Sequence, residues 1–186
     1  NIFQNFHKMI DEKNPLPLLL VTEAIRELSK RFENLSEKES HIEHHICNLG
    51  KKPGFVMASH LILNSQDVEG FDEMCKFIAT TFSKAMFNIQ TKYQINNTGT
   101  SKKLTITFSE KIPLFQCLMP SGNHMNQQQQ FWFNSYAQFA MGLYCGALLH
   151  FGYKAIPEFK QGELSSLTFS FLLEELEKTW EFSANA

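Results

Sequence analysis

The sequence predicts an α+β domain, helices first and an antiparallel sheet after them, and three observations carry that prediction. Apolar residues recur at three- and four-residue spacing over residues 18–86, and the period falls to two from Tyr93 onward. Residues 131–151, closed by Gly152, are the one stretch long and apolar enough for a buried central helix, and a hairpin-like pattern follows them. With 186 residues, 43% of them hydrophobic and 19% charged, the chain suits one core-forming domain over 18–186 behind an N-terminal arm over 1–17.

Pro15 and Pro17 end the arm. From there Leu18, Val21, Ile25, Leu28 and Phe32 form an apolar stripe opposite Glu23, Arg26, Glu27, Lys30 and Arg31, an amphipathic helix with a seam narrow enough to meet another helix. Ser36 and Glu39 have capping-box spacing and open a second helix that runs to Leu49, with Gly50 as its stop. Pro53 and Gly54 precede a resumed or kinked helical stretch over 55–63. After a turn over 64–70, Phe71, Met74, Cys75, Ile78, Phe82, Ala85 and Met86 mark a third amphipathic helix.

Tyr93 and Ile95, a polar turn over 96–100, and Leu104, Ile106 and Phe108 read as a hairpin. Residues 112–119 form a further extended segment, unsuited by Pro113 to a central strand, and 121–130 a polar loop with four consecutive glutamines. In the central helix Phe139, Gly142, Leu143, Gly146, Ala147 and Phe151 line one stripe. Two glycines four apart, each costing about 1 kcal/mol against alanine, predict close approach of another backbone. The segment has the length of a membrane span, but Asn134, Ser135, Gln138 and His150 interrupt it and no basic flank follows, which favours a water-soluble core. Residues 154–160 and 164–171 bracket Gln161, Gly162 and Glu163 as a closing hairpin, and 173–180 reads as a last short helix.

Seventeen basic and nineteen acidic residues leave a net charge of −2, which gives no electrostatic reason to expect nucleic acid as a partner. Eighteen phenylalanines exceed the needs of one such core and suggest an interface. Cys47, Cys75, Cys117 and Cys145 lack any CxxC pairing, so reduced cytosolic thiols are the simplest account, although the even count leaves a secreted protein open. The first residue is Asn1 rather than Met, which leaves a removed targeting segment open too.

Candidates for chemistry are sparse. His41 and His45 share a helix face at i, i+4, while His44 and Cys47 point elsewhere; two ligands do not close a zinc site, and a solvated polar face is the plainer reading. Cys75 with His60 or His150 is a choice among scattered residues, and Cys75 lies on an apolar face where cysteine behaves as a small hydrophobe. Lys51 and Lys52 between Gly50 and Gly54 lack the preceding strand and following Ser or Thr of a phosphate loop and read as a helix break. No catalytic motif is present, so no enzyme, cofactor or metal is expected.

The segments 82–87 (FSKAMF), 111–115 (KIPLF) with Met119 and Pro120, 140–143 (AMGL), 150–153 (HFGY) and 167–171 (LTFSF), in this order and spacing, resemble the small core subunits of the TRAPP vesicle-tethering complex, most of all the subunit-five type, the yeast Trs thirty-one kind. The likeness spans about residues 18–171. It implies an α/β plait with helices on one side of an antiparallel sheet. It also implies pairing with a sibling subunit through the first helices, which makes Leu18, Val21, Ile25, Leu28 and Phe32 the expected interface; packing of that stripe on its own sheet is the alternative. The resemblance further implies a non-catalytic scaffold in ER-to-Golgi and Golgi tethering, exchange activity on a Rab GTPase through the assembly, and a cytoplasmic, peripheral location at those membranes. A homodimer in isolation is a further expectation.

Two departures bear on this. One branch of the family carries a buried acylated cysteine at the head of the third helix, where this chain has Val68, with Cys75 about two turns inside, so lipid modification does not carry over. Pro53 falls where relatives run a helix without proline. The rival from another class is a binding module enclosing an apolar pocket for an acyl chain or small ligand, motivated by Gly142, Gly146 and the phenylalanines.

Overall fold

A computed structural model describes residues 16–32, 38–63, 68–98, 101–108, 126–161 and 167–176. The extended segment expected over 112–119, the Ser36 cap and the arm up to Asn14 lie outside the described residues.

Helix α1, Leu16–Arg31, begins two residues earlier than the stripe predicts and takes Pro17 into its first turn, where a missing N–H costs nothing. Helix α2 is continuous over Lys38–Ile62 and contains Pro53. That corrects the stop expected at Gly50: the helix does not end or resume there, because both glycines are held against another helix. The third helix, α3, comprises Gly70–Phe77, a wider π turn at Ile78–Phe82, and Ser83–Phe87, closed by Asn88 in the left-handed conformation. The carbonyls displaced by the π turn find side-chain donors: Ser83 Oγ donates to Ile78 O at 3.0 Å, and Thr91 Oγ1 donates to Ala79 O.

Strands β1, Thr91–Thr98, and β2, Ser101–Phe108, pair antiparallel from Thr91 opposite Phe108 to Thr98 opposite Ser101, so residues 96–98, expected in the turn, extend the hairpin instead. Helix α4 spans Gln127–His150. Its start corrects the polar loop expected through Gln130. Asn126 Oδ1 accepts from Gln129 N at 2.8 Å while Asn126 N donates to Gln129 Oε1 at 3.0 Å, a reciprocal cap that turns the glutamine run into the first helical turn. Strands β3, Tyr153–Gln161, and β4, Leu167–Glu175, form the closing hairpin. Residues 173–175, expected to start a helix, belong to β4: Leu173 lies opposite Ala155 on one side and Lys102 on the other, and two flanking ladders outweigh local helical preference.

The sheet is antiparallel in the order β1-β2-β4-β3, with helices on one side, as an α+β plait requires. Leu104, Ile106 and Phe108 from β2 and Leu167, Phe169, Phe171 and Leu173 from β4 point into the core. On the other face Thr105 meets Ser170 at 3.4 Å and Thr107 meets Thr168 at 3.3 Å. Lys102 bridges sheet and helix: its Nζ lies 2.6 Å from Glu175 and over the rings of Phe71 and Tyr153.

At the centre is Tyr144 of α4, fully buried among Phe82, Phe87, Phe108, Phe169 and Phe171, with its hydroxyl 2.7 Å from Ser83 Oγ. Ser83 spends its own proton on Ile78, so Tyr144 donates to it. Tyr144→Phe therefore removes one donor but leaves Ser83 bonded to Ile78, and we expect a loss of about 1 kcal/mol in urea unfolding. Tyr144→Ala should cost about 3–5 kcal/mol, because the surrounding rings cannot collapse into the space.

Candidate interaction face

Two surfaces of the helical layer could carry function: the buried seam between α2 and α4, and the outward face of α1.

The seam is built from glycine. A Cβ on Gly54 would lie 1.9 Å from Leu143 O, one on Gly142 2.0 Å from Cys47 O, and one on Gly146 1.9 Å from Lys51 O. At Gly50 the corresponding approach is 2.4 Å, to Phe139 O. Contacts advance along both chains together, so α2 and α4 run parallel with their backbones touching, as small-xxx-small pairs permit. The close approach predicted from Gly142 and Gly146 is present, and its partners are Gly50 and Gly54, which sequence reasoning took for a helix break. The identical four-residue spacing on the two helices was the signal for it.

Helix α1 lies across this layer. Ile25 is completely buried in the chain's own core, Val21, Leu28 and Phe32 are half-buried against it, and the side chain of Leu18 lies outside the described residues. Thr22 Oγ1 meets Tyr136 OH at 2.5 Å, tying α1 to α4. The Phe32 ring sits 6.1 Å from that of His41 and 4.8 Å from that of His45. Leu19 and Leu20, which the sequence stripe does not include, are 58% and 64% exposed. Beside them run the pairs Glu23 with Arg26 and Glu27 with Lys30, the latter at 2.8 Å. The hydrogen bond and charge of Lys30 lower the Glu27 pKa, and Glu27 raises that of Lys30 in return.

The chemical candidates separate. His45 Nδ1 bonds to the His41 carbonyl at 2.9 Å, and His44 Nε2 lies 2.9 Å from Asn48 Nδ2. Among the described residues no group of three His, Cys, Asp or Glu side chains could hold a metal. His150 Nδ1 meets Ser59 Oγ at 2.9 Å, and burial lowers its pKa. Cys75 is fully buried, and burial with the charge of Asp72 pushes its thiol up to about 12. We expect it to resist iodoacetamide at pH 8 in the native chain and to react once the chain is unfolded. A folded pKa above the ordinary 9.0 means that the unfolded state loses its proton first. The corresponding stability is whole below pH 9 and is lost as pH rises toward about 12, which unfolding curves across that range can check.

Among the described residues no helix is long and apolar enough to cross a membrane. No curated protein matches the sequence. Among solved structures, trafficking protein particle complex subunit 3 from Naegleria fowleri, covalently bound to palmitic acid, superposes with a TM-score of 0.61 at 18% identity, over 85% of this chain and 95% of that one. At that identity the likeness is one of fold. The sequence profile of the transport protein particle (TRAPP) component matches residues 18–169, most of the chain, and the protein therefore belongs to the TRAPP component family.

Proposed function

We propose that this protein is a non-catalytic small core subunit of a TRAPP complex, of the subunit-five type, and that it pairs with a sibling subunit through α1. Membership of the family supports a place in the complex. The observation that carries the pairing face is α1 itself: its inner stripe rests on the chain's own core, while Leu19 and Leu20 project outward beside two ion pairs. The interface then runs over Leu19 and Leu20 and the uncovered edges of Val21, Leu28 and Phe32, with Leu18 included and Ile25 as the anchor beneath. Tethering of vesicles between the ER and Golgi, and exchange on a Rab GTPase, would be properties of the assembly, with this chain cytoplasmic and peripheral to those membranes. Mixing the purified chain with each candidate sibling in analytical ultracentrifugation tests it. A stable heterodimer with one sibling is expected, and a homodimer where no sibling is present; a monomer indifferent to every sibling would end the proposal.

A second reading, a module that holds an acyl chain, draws on the palmitate in the Naegleria structure. Against it, the space between α4 and the sheet is occupied by Tyr144 and its phenylalanines. Native mass spectrometry of the chain from its own cell discriminates, since this reading requires a co-purified lipid mass.

A further inference from the structure

We infer that Cys47 and Cys145, which face each other across the glycine seam, form a reversible dithiol–disulfide site that a small peroxide closes. Cys47 lies on α2 and Cys145 on α4, and the Cys47 carbonyl occupies the place where Gly142 would carry its Cβ. Cys145 stands three residues beyond Gly142 and one before Gly146, on the part of α4 that the seam holds against Lys51. Two helices packed backbone to backbone bring facing Cβ atoms within the few ångströms that a disulfide requires. Each thiol is a near neighbour of the other, close enough to shift its ionisation. Neither is part of the pairing face, and only these two of the described cysteines meet one another.

Their environments differ in the sense the chemistry needs. The hydrogen bond with Cys145 draws the Cys47 thiol down to about 7 against the opposing effect of burial, and the charge of Lys51 adds to it. Donation of that bond, together with burial, raises Cys145 and keeps it protonated. Cys47 is 8% exposed where Cys75 is wholly buried, so a small oxidant such as hydrogen peroxide suits it better than a bulky disulfide. The Cys47 thiolate attacks one peroxide oxygen, the O–O bond breaks, and the departing hydroxide takes a proton to leave as water, giving a sulfenic acid. The Cys145 sulfur then attacks the Cys47 sulfur, and the sulfenic hydroxyl leaves as a second water with the Cys145 proton. Two electrons pass from the sulfur pair to the peroxide.

Closure links α2 to α4 through a loop of about 100 residues, which raises the thermal midpoint by about 10 °C. The test treats the full chain with hydrogen peroxide, in wild type and in a Cys75→Ala, Cys117→Ser background that leaves only the pair. Non-reducing peptide mass spectrometry should find an intramolecular Cys47–Cys145 link and the raised midpoint, both undone by dithiothreitol and both missing in Cys47→Ser. Three results would overturn the inference: unmodified Cys47 and Cys145, Cys47 driven to sulfinic acid without a link, or a link from Cys47 to another cysteine. The wild-type digest separates these results from the expected link even where a variant fails to fold.

Discussion

Alanine at Gly54 is expected to destabilise the chain by about 3 kcal/mol or more, although alanine is the better helix former by about 1 kcal/mol. The new Cβ would stand 1.9 Å from the Leu143 carbonyl oxygen, and backbone cannot rotate aside as a side chain can. To restore ordinary contact the helices must separate by about 1.5 Å, and dispersion contacts all along the seam are lost together. Gly146→Ala should behave alike, since its Cβ meets Lys51 O at the same distance. Once one substitution has parted the helices the second meets less resistance, so the double variant should cost clearly less than the sum of the singles. Urea unfolding of the three variants measures this. A neutral or stabilised Gly54→Ala chain would mean that the seam yields and that glycine there is incidental.

Ser in place of both Leu19 and Leu20 is expected to leave folding within about 0.5 kcal/mol of wild type and to weaken sibling pairing by about 2 kcal/mol, roughly thirtyfold. Both side chains already face water in the isolated chain, so their loss is felt only where a partner covers them. Ile25→Asp makes the contrast. Its side chain is wholly buried, and a carboxylate there has no counter-charge among the described core residues, so the isolated chain should lose about 3 kcal/mol or more. Thermal unfolding combined with titration of the partner separates the two effects. Equal loss of folding and pairing in the Leu19, Leu20 variant would place those residues in the ordinary core and remove the outward face of α1 from the interface.

Much of the architecture was legible because its signals are local. The stripe of α1, the apolar length of α4, the period of two in both hairpins and the stop at Gly152 each lie within about twenty residues of sequence. What escaped were features decided by something distant. Gly50 and Pro53 look like a terminus until Gly142 is known to sit against Gly50, and Gly146 against Lys51 and Phe55; with that partner in place, continuing the helix preserves the whole contact. Gln127 to Gln130 look like loop because a polar first turn has no apolar period, and the reciprocal bonds of Asn126 and Gln129 were the overlooked cue. Leu173, Glu174 and Glu175 have helical character by composition, yet Glu174 pairs with Lys154 across the ladder, and strand wins. On α1, spacing identified the stripe that packs against the chain's own core. Leu19 and Leu20 lay outside the pattern, since apolar residues beyond an amphipathic stripe have no periodic signature.

The parallel seam also constrains the order in which the chain can mature. Helix α2 meets its partner only after some ninety further residues have been translated, and β2 must wait about sixty to seventy for β4, so the topology is one of high contact order. A nascent N-terminal half therefore emerges with the glycine notch of α2 open and nothing of its own to fill it. Until α4 and β4 arrive, that uncovered apolar surface is open to wrong association.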